Sequence, residues 1–341
     1  MAAAGGNLAD RHPDSEKARD RSPRLVGPEL AVCFPMSRRR YVEAGRITAN
    51  DRRTTRRHYL FTPDAAGTMA QIFWYCLGVA SQQFNISVHA AILMSTHMHY
   101  DVSDNDGNLP KFRECFHRLL ALCTKSFRGW PEEVFNKSQT GEHELLTPEA
   151  IVDSLAYLIA NPCLGLAVRY AKDWPGAKTR ARDIGSRIIR VARPSQYLDP
   201  NNPLWPEWVE FRLEMPEILI EHFGSLELAQ QAIENRVREL EAEALRKSKR
   251  LGRGFTGARR VLRTKHTTRA ASWETFGALN PRFAAAGDIE AARAAVKRYR
   301  AFDAAYDAAL VRWMSGDRAA VFPHGTWWMR VHHGVRCQPP P

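Results

Sequence analysis

Apolar and polar positions follow two rhythms along this chain, and the switch between them marks its elements. Residues 88–94 are almost continuously apolar and residues 97–102 alternate, which predicts a buried strand followed by a strand with one polar face. Only Ser95-Thr96 separates them, so the pair predicts a tight hairpin, although Ser-Thr lacks the Asn-Gly chemistry that two-residue turns favour. Helical spacing predicts helices over residues 65–80 and from Leu109-Pro110 to about residue 130, the second with Phe112, Phe116, Leu119, Leu120 and Cys123 on one side. Thr147-Pro148, a capping residue before a first-turn proline, predicts another helix start. Tyr41-Val42 and Tyr59-Leu60-Phe61 read as short strands. Strands and helices mixed in this order predict an α+β fold, a sheet packed on helices.

The pattern changes after Trp174-Pro175. Residues 181–220, with several prolines and tryptophans, read as a partly ordered connection, and residues 225–245 as a highly charged helix. Residues 246–269 hold ten Lys or Arg and no Asp or Glu, with Gly252, Gly254 and Gly257 interrupting them. A helical pattern returns over 288–314, before an aromatic end at Phe322-Pro323 and Trp327-Trp328. Residues 1–36 lack periodicity and read as a disordered basic tail. The longest apolar runs, 72–80 and 88–94, are too short to span a bilayer, and the charged start predicts no secretory signal, so the cytoplasm is the expected location.

Charge narrows the partners. The chain has 341 residues, with 49 Lys or Arg against 37 Asp or Glu, a net charge of +12, and a pI near 9.7. That excess favours a polyanion, nucleic acid first. The six cysteines (33, 76, 115, 123, 163 and 337) form no CxxC pair and read as reduced thiols.

Candidate chemistry begins with His97-Met98-His99. Side chains alternate along a strand, so both imidazoles share one face. Such a pair suits Zn, Mn, Fe or Cu, whereas Mg²⁺ favours oxygen ligands, and a His-x-His taken alone is as often structural. Asp101 falls on the same face, either orienting a histidine or lying at a solvated rim. On the helix after Pro148, Ile151, Leu155 and Leu158 mark the core side, while Tyr157 and Asn161, four apart, address a common point from another side. A lone helical tyrosine is usually a packing residue, and the matched asparagine is what brings a functional role into contention.

The string Leu93-Met94-Ser95-Thr96-His97-Met98-His99, then Tyr157-x-x-x-Asn161-Pro162, Gly165-Leu166 and Trp174-Pro175, resembles the REP-associated tyrosine transposases of the HUH single-strand endonuclease superfamily. Order and spacing agree over roughly residues 41–180. The end of the chain, from Phe322-Pro323 to His333-Gly334-Val335-Arg336-Cys337, looks like the tail of longer members. Three departures stand out: Ser95-Thr96 replaces Pro-Asn, Val134-Phe135-Asn136-Lys137 replaces a Val-Trp-Gln-x-Arg stretch, and Gly176-Ala177 replaces Ser-Ser.

The resemblance implies a ferredoxin-like antiparallel sheet with helices on one face, the HUH fold, over residues 37–180, and a mainly helical, DNA-contacting region over 181–341. It implies a divalent cation, Mg²⁺ or Mn²⁺, held by His97, His99 and Asn161, with Tyr157 attacking a phosphodiester of single-stranded or hairpin DNA to leave a 5′-phosphotyrosine and a free 3′-hydroxyl. Arg52, Arg53, Arg56 and Arg57 would line the strand's path, with Trp74, Tyr100 or Trp130 as stacking platforms, and Arg259, Arg260 and Arg263 would contact phosphates. The protein would be a bacterial, nucleoid-associated monomer or homodimer with no membrane partner. A domesticated relative that binds hairpin DNA without transposing, and a zinc-dependent hydrolase using the same histidines, are the alternative readings.

Overall fold

The computed structural model describes residues 39–136, 140–271 and 281–340, so the basic tail expected over 1–36 lies outside the described residues. Strand β1, Arg46–Arg53, precedes helix α1, Thr68–Gln83. The Asp64 carboxylate caps α1 by accepting from the backbone of Thr68 at 3.0 Å and of Met69 at 2.8 Å. Strands β2, Ile86–Leu93, and β3, His97–Asp104, form the expected hairpin, closed by Met94 N–H donating to His97 O at 2.9 Å. Its unusual Ser-Thr turn is held from outside: Ser95 O accepts from Phe61 N, and Thr96 O accepts from both the backbone and the hydroxyl of Thr54. Helix α2, Leu109–Arg128, ends on Gly129 at φ 58°, and strand β4, Gly141–Leu145, leads into helix α3, Pro148–Leu164. The Thr147 hydroxyl caps α3 by accepting from Ala150 N at 3.2 Å.

The strands stand in the order β2-β3-β1-β4, all antiparallel, and strand β5, Ile188–Ala192, pairs separately with strand β6, Trp208–Arg212. Helices α4, Glu217–Phe223, α5, Leu226–Arg250, and α6, Ala258–Arg263, follow. Strand β7, Phe283–Ala284, adds to β4 in parallel and makes the sheet five-stranded and mixed. Helix α7, Ile289–Met314, and the short β8 (Val321–Phe322), α8 (Trp328–His333) and β9 (Arg336–Cys337) complete the chain. The fold is α+β, and from Arg40 onward the contacts form one unit. Among the described residues no helix is long and apolar enough to cross a membrane.

Helices cover both faces of the sheet, which corrects the expectation of helices on one face. Met98, Tyr100 and Val102 of β3 pack with α1 and α2 in one core, whereas Ala49, Ala90, Ile92 and Leu145 pack with α3 and α5 in a second. A bulge at His89 rotates β2, so that Val88 faces the first core with Val102 and Ala90 the second beside Asp101. The near-continuous apolar run of β2 is thus the signature of a strand buried on both faces.

Other expectations are revised. Tyr41 makes only an isolated bridge to Thr326, and Tyr59-Leu60-Phe61 is a buried turn, while Arg52 and Arg53 themselves lie in a strand. Residues 181–220 contain the β5–β6 hairpin, whose Ile189 and Val209 join the α1 core. Gly78 of α1 permits that contact, because a Cβ there would strike Val209 and Phe211. Along the outer side of β2, Leu93 N donates to Ala177 O at 3.0 Å, Glu214 N donates to Val88 O at 2.8 Å, and Thr179 Oγ1 accepts from Ala91 N at 3.0 Å. At the opposite side, Arg46 and Glu144 form an ion pair at 2.9 Å, both side chains 8% exposed, joined by Arg298 and Tyr299 of α7.

Candidate functional site

Helix α3 lies across the polar face of β3 and runs against its direction, so residues two apart on the strand meet residues three or four apart on the helix. Asp101 meets Ser154, whose hydroxyl donates to its Oδ2 at 2.7 Å. His99 meets Tyr157, ring centroids 5.8 Å apart and edge to face at 88°. His97 meets Asn161, its Nε2–H donating to Oδ1 at 3.1 Å. The Asn161 amide in turn donates to His99 Nε2 at 3.4 Å, so one buried carboxamide bridges both imidazoles. Two strand steps of roughly 6.6 Å against helical steps of roughly 4.5 and 6 Å explain the one-to-one match.

The electrostatics keep both rings neutral. Burial, the neighbouring His99 and Arg53 push His97 down to about 3, and burial with Arg53 and His143 does the same for His99, to about 3. With the His97 proton on Nε2, the Thr96 hydroxyl donates to Nδ1 at 3.0 Å. A hydroxyl can also accept, so Thr96 supports the opposite tautomer, in which Nε2 is free to ligate a cation. Thr96 is therefore a partner for His97 whichever ring nitrogen carries the proton. Asp101, 2% exposed, is pushed up to about 7 by burial.

The donor set fits a metal ion of modest charge. One carboxamide reaches both rings, Oδ1 lying 3.1 Å from His97 Nε2 and Nδ2 3.4 Å from His99 Nε2, and the 3.1 Å imidazole–amide separation is close to the roughly 3 Å between neighbouring ligands around an ion bonded at about 2.1 Å. Among the described residues no group of three or more His, Cys, Asp or Glu could hold a metal, so the third ligand would have to be the Asn161 amide.

Tyr157 is 48% exposed on a helix whose neighbouring Ala156 and Leu158 are buried, so it lies at the rim of the site and outside the core. Register adds residues that sequence reasoning did not single out: Asp51 pairs with His99, and His143 lies beside Ala49, which pairs with Asp101. Gly141 makes room for Asp51, since a Cβ there would collide with its carboxylate. β1 itself lies between the two short strands expected at Tyr41-Val42 and Tyr59-Leu60-Phe61.

The arginines of residues 52–57 divide. Arg53 pairs with His97 across the strands and shares its face. Arg52 pairs with Met98 and points to the other core, which corrects its expected place on the strand's path. There its guanidinium donates to His117 Nδ1 at 2.8 Å and lies 4.6 Å from the Phe135 ring. Arg56 and Arg57 stand in a tight turn at φ 45° and 57°, Arg56 pairing with exposed Glu132 at 3.4 Å. Trp74 and Tyr100, also expected as platforms, are 7% and 0% exposed and belong to the core. Trp130 is partly exposed, its ring 4.8 Å from that of His58. Arg259, Arg260 and Arg263 are exposed on α6, which buried Val261 anchors to the α3–α5 core.

No protein family model matches the chain, and no curated protein matches it. Among solved structures it is similar to that of a REP-associated tyrosine transposase bound to a REP hairpin, with a TM-score of 0.37 and 18% identity over 43% of this chain and 84% of that one. The residues of the site, and not this likeness, carry the functional reading that follows.

Proposed function

We propose that this protein is an HUH-type, divalent-metal-dependent endonuclease and strand transferase that cuts and rejoins single-stranded or hairpin DNA through Tyr157. The observation that carries this reading is the Asn161 carboxamide in contact with both His97 and His99, with the exposed Tyr157 ring edge-on to His99. Neutral imidazoles and an amide oxygen are ready ligands over the whole physiological pH range. A Mg²⁺ or Mn²⁺ ion bound there would polarise a non-bridging phosphate oxygen and stabilise the charge that develops on it.

The chain's own groups do the rest. Arg53, across from His97, offers a positive charge to the phosphate. The Tyr157 hydroxyl attacks phosphorus, the bond to the 3′ oxygen breaks, and that oxygen leaves as a 3′-hydroxyl after taking a proton. The phenolic proton departs to water, which reaches Tyr157 because it is half exposed. The 5′-phosphotyrosine conserves the bond energy for rejoining. Ser154 and Asp101 hold α3 against β3, which fixes the distance from Tyr157 to the histidines.

The test is incubation with Mn²⁺ or Mg²⁺ and labelled single-stranded hairpins from the flanks of its own gene. A protein–DNA adduct that Tyr157→Phe abolishes supports the reading. Cleavage without an adduct points to the hydrolase, and binding without cleavage to the DNA-binding relative.

A further inference from the structure

The basic segment after α5 is fastened at two places, one just beyond the Asn161 end of α3 and one at the turn that holds Thr96. Thr256 N donates to Leu166 O at 2.9 Å and Gly257 N to Ala167 O at 2.8 Å, just beyond the end of α3 that carries Asn161. Further on, Tyr59 N donates to Thr268 O at 2.9 Å, Ala270 N donates to Arg57 O at 3.1 Å, and Arg269 bridges His58. That second anchor is the turn after β1, which also binds Thr96 immediately before His97 through Thr54. Residues 256–270 therefore run from just beyond the Asn161 end of the helix to the turn beside the His97 end of the strand, the two ends that meet where His97 contacts Asn161.

What this segment presents is cationic. Arg259, Arg260, Arg263, Lys265 and Arg269 are exposed, and none of them makes an ion pair among the described residues. At its far anchor it meets Arg56, Arg57 and the adjoining rings of His58 and Trp130. Two basic stretches some two hundred residues apart in sequence thus form one surface, with an aromatic pair set into it. Positive groups interleaved with half-exposed aromatics are the chemistry that tracks a single strand: the charges follow phosphates and the rings stack on bases.

We infer that residues 256–270, with the Arg56–His58 turn and Trp130, form the track for the single-stranded flank of the DNA as it leaves the His97–Asn161 end of the site. This rests on the reading of that site as one for single-stranded DNA. The track exists only because the segment is docked; its charge alone does not make it.

Anisotropy titrations of a labelled oligothymidine, about ten nucleotides long to suit one such site, test this at several salt concentrations. The parent carries Tyr157→Phe, so binding is read without adduct. Replacing Arg259, Arg260 and Arg263 with alanine should flatten the salt slope by roughly 0.7 per lost contact. Trp130→Ala should weaken binding about fivefold or more. Ala270→Pro removes the donor to Arg57 O and changes no charge; it should weaken binding and lower the slope, with folding checked by circular dichroism. If Ala270→Pro does not fold, Trp130→Ala decides alone. Parental affinity in the folded Ala270→Pro and Trp130→Ala variants overturns the track, while adduct formation by the Tyr157 enzyme keeps the site reading intact. Absence of both adduct and oligothymidine binding removes the two together.

Discussion

Asp101→Asn separates the cost of the buried carboxylate from its role in holding α3. Asp101 is 2% exposed, its carboxylate accepts from the Ser154 hydroxyl at 2.7 Å, and burial lifts it from 3.8 to about 7. Between those values the folded chain keeps a proton that the unfolded chain has lost. Stability therefore falls as pH rises from about 4 to about 7 and levels off above that. Three units at about 1.4 kcal/mol each put the full penalty at about 4 kcal/mol. Asparagine is neutral at every pH and can still accept from Ser154, so the variant should gain most of that at pH 8 and under about 1 kcal/mol at pH 4. For a chain of this size the pH 8 gain corresponds to a rise in Tm of roughly 5–10 °C. Thermal melts of both proteins across pH 4–8 measure it. A gap between the two that stays constant with pH, or an Asn variant that melts below the parent at pH 8, refutes the assignment of the cost to the charge.

Tyr157→Phe keeps the ring beside His99 and should abolish adduct formation while leaving DNA affinity near parental, as read by denaturing gel and anisotropy. His97→Ala or His99→Ala should lower Mn²⁺ affinity about tenfold or more in calorimetry, with a smaller loss for Asn161→Ala because water can replace an amide; unchanged affinity in the double-histidine variant would remove the metal site. Glu144→Ala strands the buried Arg46 guanidinium and should cost roughly 3 kcal/mol in urea unfolding, a loss that a pair of exposed charges would not produce.

Period and capping made much of the site legible in advance. The strict alternation of residues 97–102 put both histidines on one face, and Thr147-Pro148 fixed the phase of α3, so Tyr157 and Asn161 pointed together. The hairpin turn was legible only as a gap, because Ser95-Thr96 is stabilised by Thr54 and Phe61, which no local rule brings near. Arg52 and Arg53 are adjacent and alike in sequence; a strand's period of two sends one to the core and the other to the site, and only the pairing of β1 with β3 separates them. Helices on both faces were hidden in β2, whose unbroken apolar run fits a strand covered on two sides as well as one beside a single layer. The docking of residues 256–270 had no sequence signal, since backbone hydrogen bonds to Leu166, Ala167 and Arg57 carry it.

The sheet's two outer strands have a bearing on how copies of this protein can meet. Along β2 the backbone groups of Val88, Ala91 and Leu93 already bond to Glu214, Thr179 and Ala177, and β7 occupies the outer side of β4. Along β2, then, a strand from a second molecule finds the backbone at these three positions already engaged. Self-association, where it occurs, then falls to side chains on the helical layers. The same closure guards a basic, strand-centred protein against edge-to-edge aggregation along β2.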